Sequence, residues 1–200
     1  MINLKFYSLG SPKTNMDGVI NKQKGTIMEI QNSTTQDIGE IFRLYTIATD
    51  FQKLKHVVQW PEFERSLIET EIDEQRQWKI VIDDQIACVW ATTFDDPQIW
   101  EERNSDPAVY IHRIASNPEF KGQNLVEDIV HWAKEYALSN GKKYIRLDTV
   151  GENQGLINYY TKCGFDFLGL KELKNTDGLP AHYDNASVSL FEISVNNVMG

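Results

Sequence analysis

The chain has 200 residues, 41% of them hydrophobic, which is enough to bury one substantial core. Its 20 Lys and Arg against 29 Asp and Glu leave a net charge of -9, which disfavours a nucleic-acid partner. No signal peptide is recognisable, and nothing approaches the roughly 18 consecutive apolar residues of a membrane span, so a cytoplasmic protein without a membrane partner is expected.

Residues 1–25 are polar and rich in turn clusters, and read as an N-terminal extension with a strand at Leu4 to Ser8. Thr26 to Gln31 reads as the first core strand. Thr34 and Asp37 have the spacing of a capping box, and Ile38, Ile41, Phe42, Tyr45 and Ala48 recur behind them at helical spacing. Trp60-Pro61-Glu62 announces a second helix, with Phe63, Leu67, Ile68 and Ile72 as its apolar face. From Trp78 the period changes to two, and the turn Asp83-Asp84 joins Lys79–Ile82 to Gln85–Ala91 as a β-hairpin.

Residues 95–108 read as a polar loop. Tyr110 to Ser116 alternates as a strand, and a polar turn, Asn117 to Asn124, leads into a helix carrying Leu125, Val126, Ile129, Val130, Ala133, Tyr136 and Ala137 on one face. That helix stops at Asn140-Gly141. The strand Tyr144 to Asp148, a short helix closing at Gly164-Phe165, a strand to Leu170, a polar loop over 172–185 and a final strand from Val188 to Val195 complete the chain.

This order predicts an α+β fold: one mixed sheet flanked by helices, in a single domain over 26–195 with a tail at 196–200. The turn between Ser116 and Leu125 sits at a helix N-terminus, where unpartnered N–H groups and the helix dipole favour an anion such as phosphate. Cys88 and Cys163 lie in apolar stretches and read as reduced thiols. His56, His112, His131 and His182 are scattered without metal-ligand spacing, so no metal is expected. Trp60, Trp78, Trp90, Trp100 and Trp132 read mostly as core residues, with Trp90 and Trp100 as the cleft candidates among them, and Arg113 reads as an ion-pairing residue.

Two segments carry a resemblance. Asn117-Pro118-Glu119-Phe120-Lys121-Gly122-Gln123-Asn124-Leu125-Val126, followed by Asn153-x-x-Leu156-x-x-Tyr159-Tyr160-x-x-x-Gly164-Phe165, is similar to the paired motifs of the GCN5-related N-acetyltransferase (GNAT) superfamily. The resemblance implies a twisted mixed sheet and direct acetyl transfer from acetyl-CoA to an amine. The amine is expected on a small molecule rather than a protein, and a homodimer is compatible with the family. An alternative on the same fold is a non-catalytic acyl-CoA-binding or regulatory domain.

The resemblance assigns the pyrophosphate to the backbone of Lys121, Gly122, Gln123, Asn124, Leu125 and Val126. It assigns the pantetheine arm to the backbone of Ile114 and Ser116, and closure of the site to Asn153 and Tyr160. Tyr160 is the expected proton donor to the thiolate. His112 is the candidate base, alongside an ordered water or a carboxylate of the 95–106 loop. Lys121 stands where the family has Arg or Gln. Asn124 replaces a glycine at a position suited to a left-handed backbone. Val126 replaces a small residue, and its branched side chain is expected to crowd the pyrophosphate.

Overall fold

The computed structural model describes residues 27–55, 57–176, 179–183 and 186–195. The expected N-terminal extension, its strand, the C-terminal tail and His56 lie outside them. The elements are β1 (Met28–Asn32), α1 (Ile38–Leu54), α2 (Arg65–Asp73), β2 (Gln77–Ile82), β3 (Gln85–Thr93), α3 (Pro97–Trp100), β4 (Ala108–Ser116), α4 (Leu125–Ser139), β5 (Tyr144–Val150), α5 (Gln154–Lys162), β6 (Asp166–Glu172) and β7 (Ser187–Ser194). The strands form one seven-stranded sheet in the order β1-β2-β3-β4-β5-β7-β6. Every neighbouring pair is antiparallel except β4 and β5, which are parallel and joined through α4. The mixed α/β architecture expected from the sequence is therefore the one formed.

Both faces of the sheet are covered, which explains why its central strands read as almost continuous apolar runs. Cys88 and Trp90 of β3 join Ile129, Ala133 and Ala137 of α4 in the largest core cluster. Val89, between them, points the other way and packs with Ile41, Leu44 and Ile68 of α1 and α2. The first helix begins as expected: the Thr34 N–H donates to Asp37 Oδ2 at 2.7 Å. Asp83 and Asp84 have φ of 47° and 66°, the positive values a tight hairpin turn requires.

Two segments differ from expectation. The second helix starts at Arg65 rather than at Trp60. Trp60 and Phe63 are held edge-on against Tyr45, with ring centroids 5.7 and 5.3 Å away, and this anchoring keeps the segment before α2 out of the helix. Leu67, expected on the apolar face, is 37% exposed. Residues 95–108 are not simply a polar loop. They fold into α3 and a following 3-10 turn, Glu101–Ser105, because Ile99 and Trp100 bury themselves beside Ala108 and Tyr110. The Arg146 guanidinium lies 4.7 Å from the Trp100 ring, and it bonds Asp106, Glu192 and the Arg103 carbonyl, which clamps this segment to the sheet.

The feature that shapes the molecule is where β4 leaves β5. The two strands pair only at Ala108–Tyr110 with Tyr144–Arg146. Along β3, Val89 pairs with Ala115 but Ala91 pairs with His112, so Arg113 and Ile114 together face Trp90 in a β-bulge. Arg113 sits at φ 52°, an uncommon value for a residue with a side chain. Its guanidinium is anchored on both oxygens of buried Glu71 and on the Tyr45 hydroxyl, and it lies 5.3 Å from the Phe63 ring. The bulge bends β4 away from β5, and the ion pair ties the bent strand to α2.

Removing one partner of a buried pair leaves the other charge stranded. Glu71→Ala is expected to lower the unfolding free energy by about 3 kcal/mol in urea denaturation; a loss within the range of a surface substitution would contradict the anchoring role.

Candidate active site

The parting strands open a cavity of about 570 Å³. Its walls come from the end of α1 and the segment before α2, from β3, β4 and β5, from the start of α5, and from the 3-10 turn Ala181–Tyr183. That turn lies within the expected polar loop 172–185 and brings His182 and Tyr183 to the site.

Of the residues singled out in the sequence, His112, Ile114, Asn153 and Tyr160 all line this cavity. Asn153 caps α5: its Oδ1 accepts from the N–H groups of Gly155 at 3.0 Å and Leu156 at 3.2 Å, so it is structural as well as site-lining. Tyr160 packs its ring against Phe165 and Phe191, with centroids 5.9 and 5.3 Å away. Burial raises the pKa of its hydroxyl further above the ordinary tyrosine range, so at neutral pH it remains a proton donor.

The Lys121–Val126 turn is not part of the cavity wall. It stands where β4 ends, and α5 begins where β5 ends, so turn and cavity share the carboxyl edge of the two parallel strands, the usual ligand position in such sheets. Lys121, Gly122, Gln123 and Asn124 are exposed. Asn124 adopts φ 52° and ψ 32°, the left-handed conformation its residue type suggested. A Cβ placed on Gly122 would meet nothing within 4 Å, so the approach to this backbone is open. The N–H groups of Leu125 and Val126 begin α4 without helical acceptors. An open backbone of this kind at a helix N-terminus is suited to an anion. Val126 does not crowd it: the side chain is 5% exposed and belongs to the core under α4. The expected clash is corrected by the direction of the first helical turn. Ser116, on the free end of β4, has its hydroxyl 3.5 Å from Cys88 Sγ.

Trp90 and Trp100 are core residues, 0% and 1% exposed, and neither reaches the cavity; Trp60 does. His112 lies in the wall with Nε2 3.8 Å from Asp96 Oδ2. Burial, with the charges of Arg113 and Arg76 nearby, pushes its pKa down to about 3. It is therefore a neutral imidazole and a weak proton acceptor at pH 7.

Two carboxylates that spacing alone did not single out share this corner. Asp96 precedes α3 in the segment clamped by Arg146, and its pKa is pushed up to about 7 by burial and by the neighbouring charge of Asp148. Asp148, near the end of β5, is raised to about 6 by burial and accepts from the Tyr183 hydroxyl at 2.9 Å. One ligand atom each from Asp96, His112 and Asp148 falls within 4.8 Å of the others, a grouping invisible in the histidine spacing. The available clues were an Asp-Asp-Pro turn at 95–97 and an aspartate closing an apolar strand.

The model of the acetyltransferase (GNAT) family matches residues 36–165. The chain belongs to that family. It is similar to the uncharacterized N-acetyltransferase YesJ of Bacillus subtilis, 31% identical over 74 residues that span 37% of this chain and 41% of that protein. It is also 25% identical over 163 residues to the thialysine N-epsilon-acetyltransferase of Mus musculus, covering 74% of this chain and 87% of the relative. In fold it is similar to a GNAT-family acetyltransferase from Listeria monocytogenes, with a TM-score of 0.66 at 21% identity over 84% of this chain and 94% of that one. The matched region includes the segment Asn153 to Phe165, which reaches the cavity through Asn153, Leu156 and Tyr160. Among the described residues no helix is long and apolar enough to cross a membrane.

The raised carboxyl of Asp96 has a consequence for stability. Between its ordinary pKa of 3.8 and its folded value of about 7, the unfolded chain releases a proton that the folded chain holds. Folding is thus weakened as pH rises through that window, and the penalty persists above it. Asp96→Asn is expected to raise Tm by about 5 °C at pH 8 and to change it little at pH 4. Equal shifts at both pH values in a thermal-melt series would contradict the raised pKa.

Proposed function

We propose that the protein transfers the acetyl group of acetyl-CoA to a small-molecule amine, in the cytoplasm, with Asp96 as general base and Tyr160 as general acid. The observation that carries this reading is the convergence of a half-buried carboxylate and a half-buried phenol on one cavity where β4 leaves β5. Acetyl-CoA supplies the activated thioester. Its pyrophosphate is held by the backbone of Lys121, Gly122, Gln123, Asn124, Leu125 and Val126, and its pantetheine arm by the free backbone of Ile114 and Ser116 on β4.

An amine enters as its ammonium ion and must lose a proton before it can attack. Asp96, with a pKa of about 7, accepts that proton and remains able to give it up again. The amine nitrogen then forms a bond to the acetyl carbon, and the carbon–sulfur bond breaks. As the carbon–sulfur bond breaks, Tyr160 donates its hydroxyl proton to the departing sulfur and is reprotonated from solvent, while the nitrogen loses its second proton and Asp96 releases the first, so one proton in net passes to solvent. Asp96 replaces His112 in the base role because a proton acceptor of pKa about 3 is mismatched to neutral pH. His112 instead forms the uncharged wall beside the carboxylates. A non-catalytic acyl-CoA-binding domain would have no use for a carboxylate held in the dry at such a pKa.

The reading predicts that kcat/KM for acetyl-CoA-dependent thiol release rises with pH through about 7, following deprotonation of Asp96 in the free enzyme. Asp96→Asn is expected to remove this limb and to lower kcat about 100-fold or more, while acetyl-CoA binding by calorimetry is retained. Tyr160→Phe is expected to lower kcat with little change in acetyl-CoA affinity. Full turnover in Asp96→Asn would remove Asp96 from the mechanism.

A further inference from the structure

The charges around the cavity are unevenly matched, and this bears on which amine it receives. Glu71 is paired with Arg113 and lies 3.8 Å from Arg76. Arg76 is also bound to Glu74. Both guanidinium groups in the wall are thus already engaged by carboxylates. The wall histidines His112 and His182 are neutral at pH 7, their pKa values pushed down to about 3 and about 4 by burial. Lys55 also lines the cavity, exposed and 5.5 Å from the Phe51 ring.

Among the described residues Asp96 and Asp148 make no ion pair with an arginine or lysine; Lys171, which acts on Asp96 from a distance, is itself bound to the Ile99 carbonyl and to Glu101. Asp96 Oδ2, Thr149 Oγ1 and His182 Nδ1 are buried cavity-wall atoms without a hydrogen-bond partner among the described residues. Buried acceptors of this kind are costly unless a donor reaches them. One ammonium group carries three donors, and it matches two carboxylates whose oxygens come within 4.8 Å. On the side of α1 and the segment before α2 the wall is largely apolar, with Gln52 and Lys55 as its polar side chains. Phe51, Val57, Val58, Trp60 and Phe63 line it, and Phe51, Val57 and Val58 are 59%, 37% and 43% exposed, which leaves apolar surface to be covered.

We propose that the acceptor is a primary amine bearing one positive charge on an uncharged, apolar body, its ammonium seated between Asp96 and Asp148 and its body against the Phe51–Phe63 wall. This rests on the acetyl-transfer reading and narrows its substrate class. A carboxylate on the acceptor would find both wall guanidinium groups already paired, leaving it only the exposed ammonium of Lys55, where water screens the attraction. A second ammonium would find Glu71 already neutralised.

The test is a matched series of equal chain length: hexylamine, 6-aminohexanoate and 1,6-diaminohexane, assayed by thiol release from acetyl-CoA with the full-length protein. Hexylamine is expected to exceed each of the others in kcat/KM by about tenfold or more, since an unpaired charge against an apolar wall is penalised. In Val58→Asp, the 1,6-diaminohexane to hexylamine ratio is expected to rise about tenfold.

A charged analogue that equals or betters hexylamine overturns this inference alone, because turnover itself sustains the acetyl-transfer reading. An unmoved ratio in Val58→Asp removes the wall from acceptor selection and likewise overturns it. Failure of all three amines, with acetyl-CoA binding demonstrated by calorimetry, overturns the small-amine reading and this inference together. Turnover that is lost on adding a chelator and restored by a divalent cation would assign Asp96, His112 and Asp148 to a metal instead, and would also overturn it.

Discussion

Parallel strands hydrogen-bonded along their whole length leave no space between them for a ligand. Here β4 and β5 pair at Ala108–Tyr110 and Tyr144–Arg146 and then separate, β4 staying with β3 and β5 with β7. The separation has a local cause in the extra residue at Arg113–Ile114, and an anchor in the ion pair from Arg113 to Glu71. Close to the chemistry, the cavity, its polar corner and the free backbone of β4 all follow from that one departure. An arginine at φ 52° is an unfavourable backbone state, and it persists because its guanidinium is held from α1 and α2 at once.

The electrostatics of the corner follow from the same geometry. Asp148 rides on β5 just beyond the last paired residue, and Asp96 is delivered from the opposite side by the segment that Trp100 and Arg146 clamp down. Two carboxylates brought together away from water cannot both ionise easily, so one is poised near neutral pH. Arg146, itself only 1% exposed, does no chemistry in this account, yet it fixes the position of the group that does. The same burial that turns His112 into a weak acceptor turns Asp96 into a useful one, because desolvation disfavours whichever form is charged.

Much of this was legible in the chain. The order of elements followed from periodicity, and the αL conformation of Asn124 followed from residue type. The motif spacing that singled out Asn153 and Tyr160 picked two residues that line the cavity. Local patterns could not report the rest. Trp60-Pro61 has the chemistry of a helix start, but its aromatic contacts with Tyr45 are made across the fold and delay α2 to Arg65. Ile99-Trp100 was too short an apolar run to stand out from its polar neighbours. The neighbours of Val126 in sequence belong to the exposed turn before α4, so local pattern suggests an obstruction there, whereas the helix rotates it into the core. The meeting of Asp96, His112 and Asp148 depends on three separate segments, and no spacing rule links them.

Where acetyl-CoA lies decides what the parted strands are for. A crystal structure with the bound cofactor is predicted to place its pyrophosphate against the Leu125 and Val126 amides. The pantetheine arm is predicted to run along the unpaired side of β4 past Ile114, with the thioester at the cavity beside Tyr160. Pyrophosphate density away from the α4 N-terminus, or β4 and β5 paired through Ser116 with the cofactor elsewhere, would contradict it.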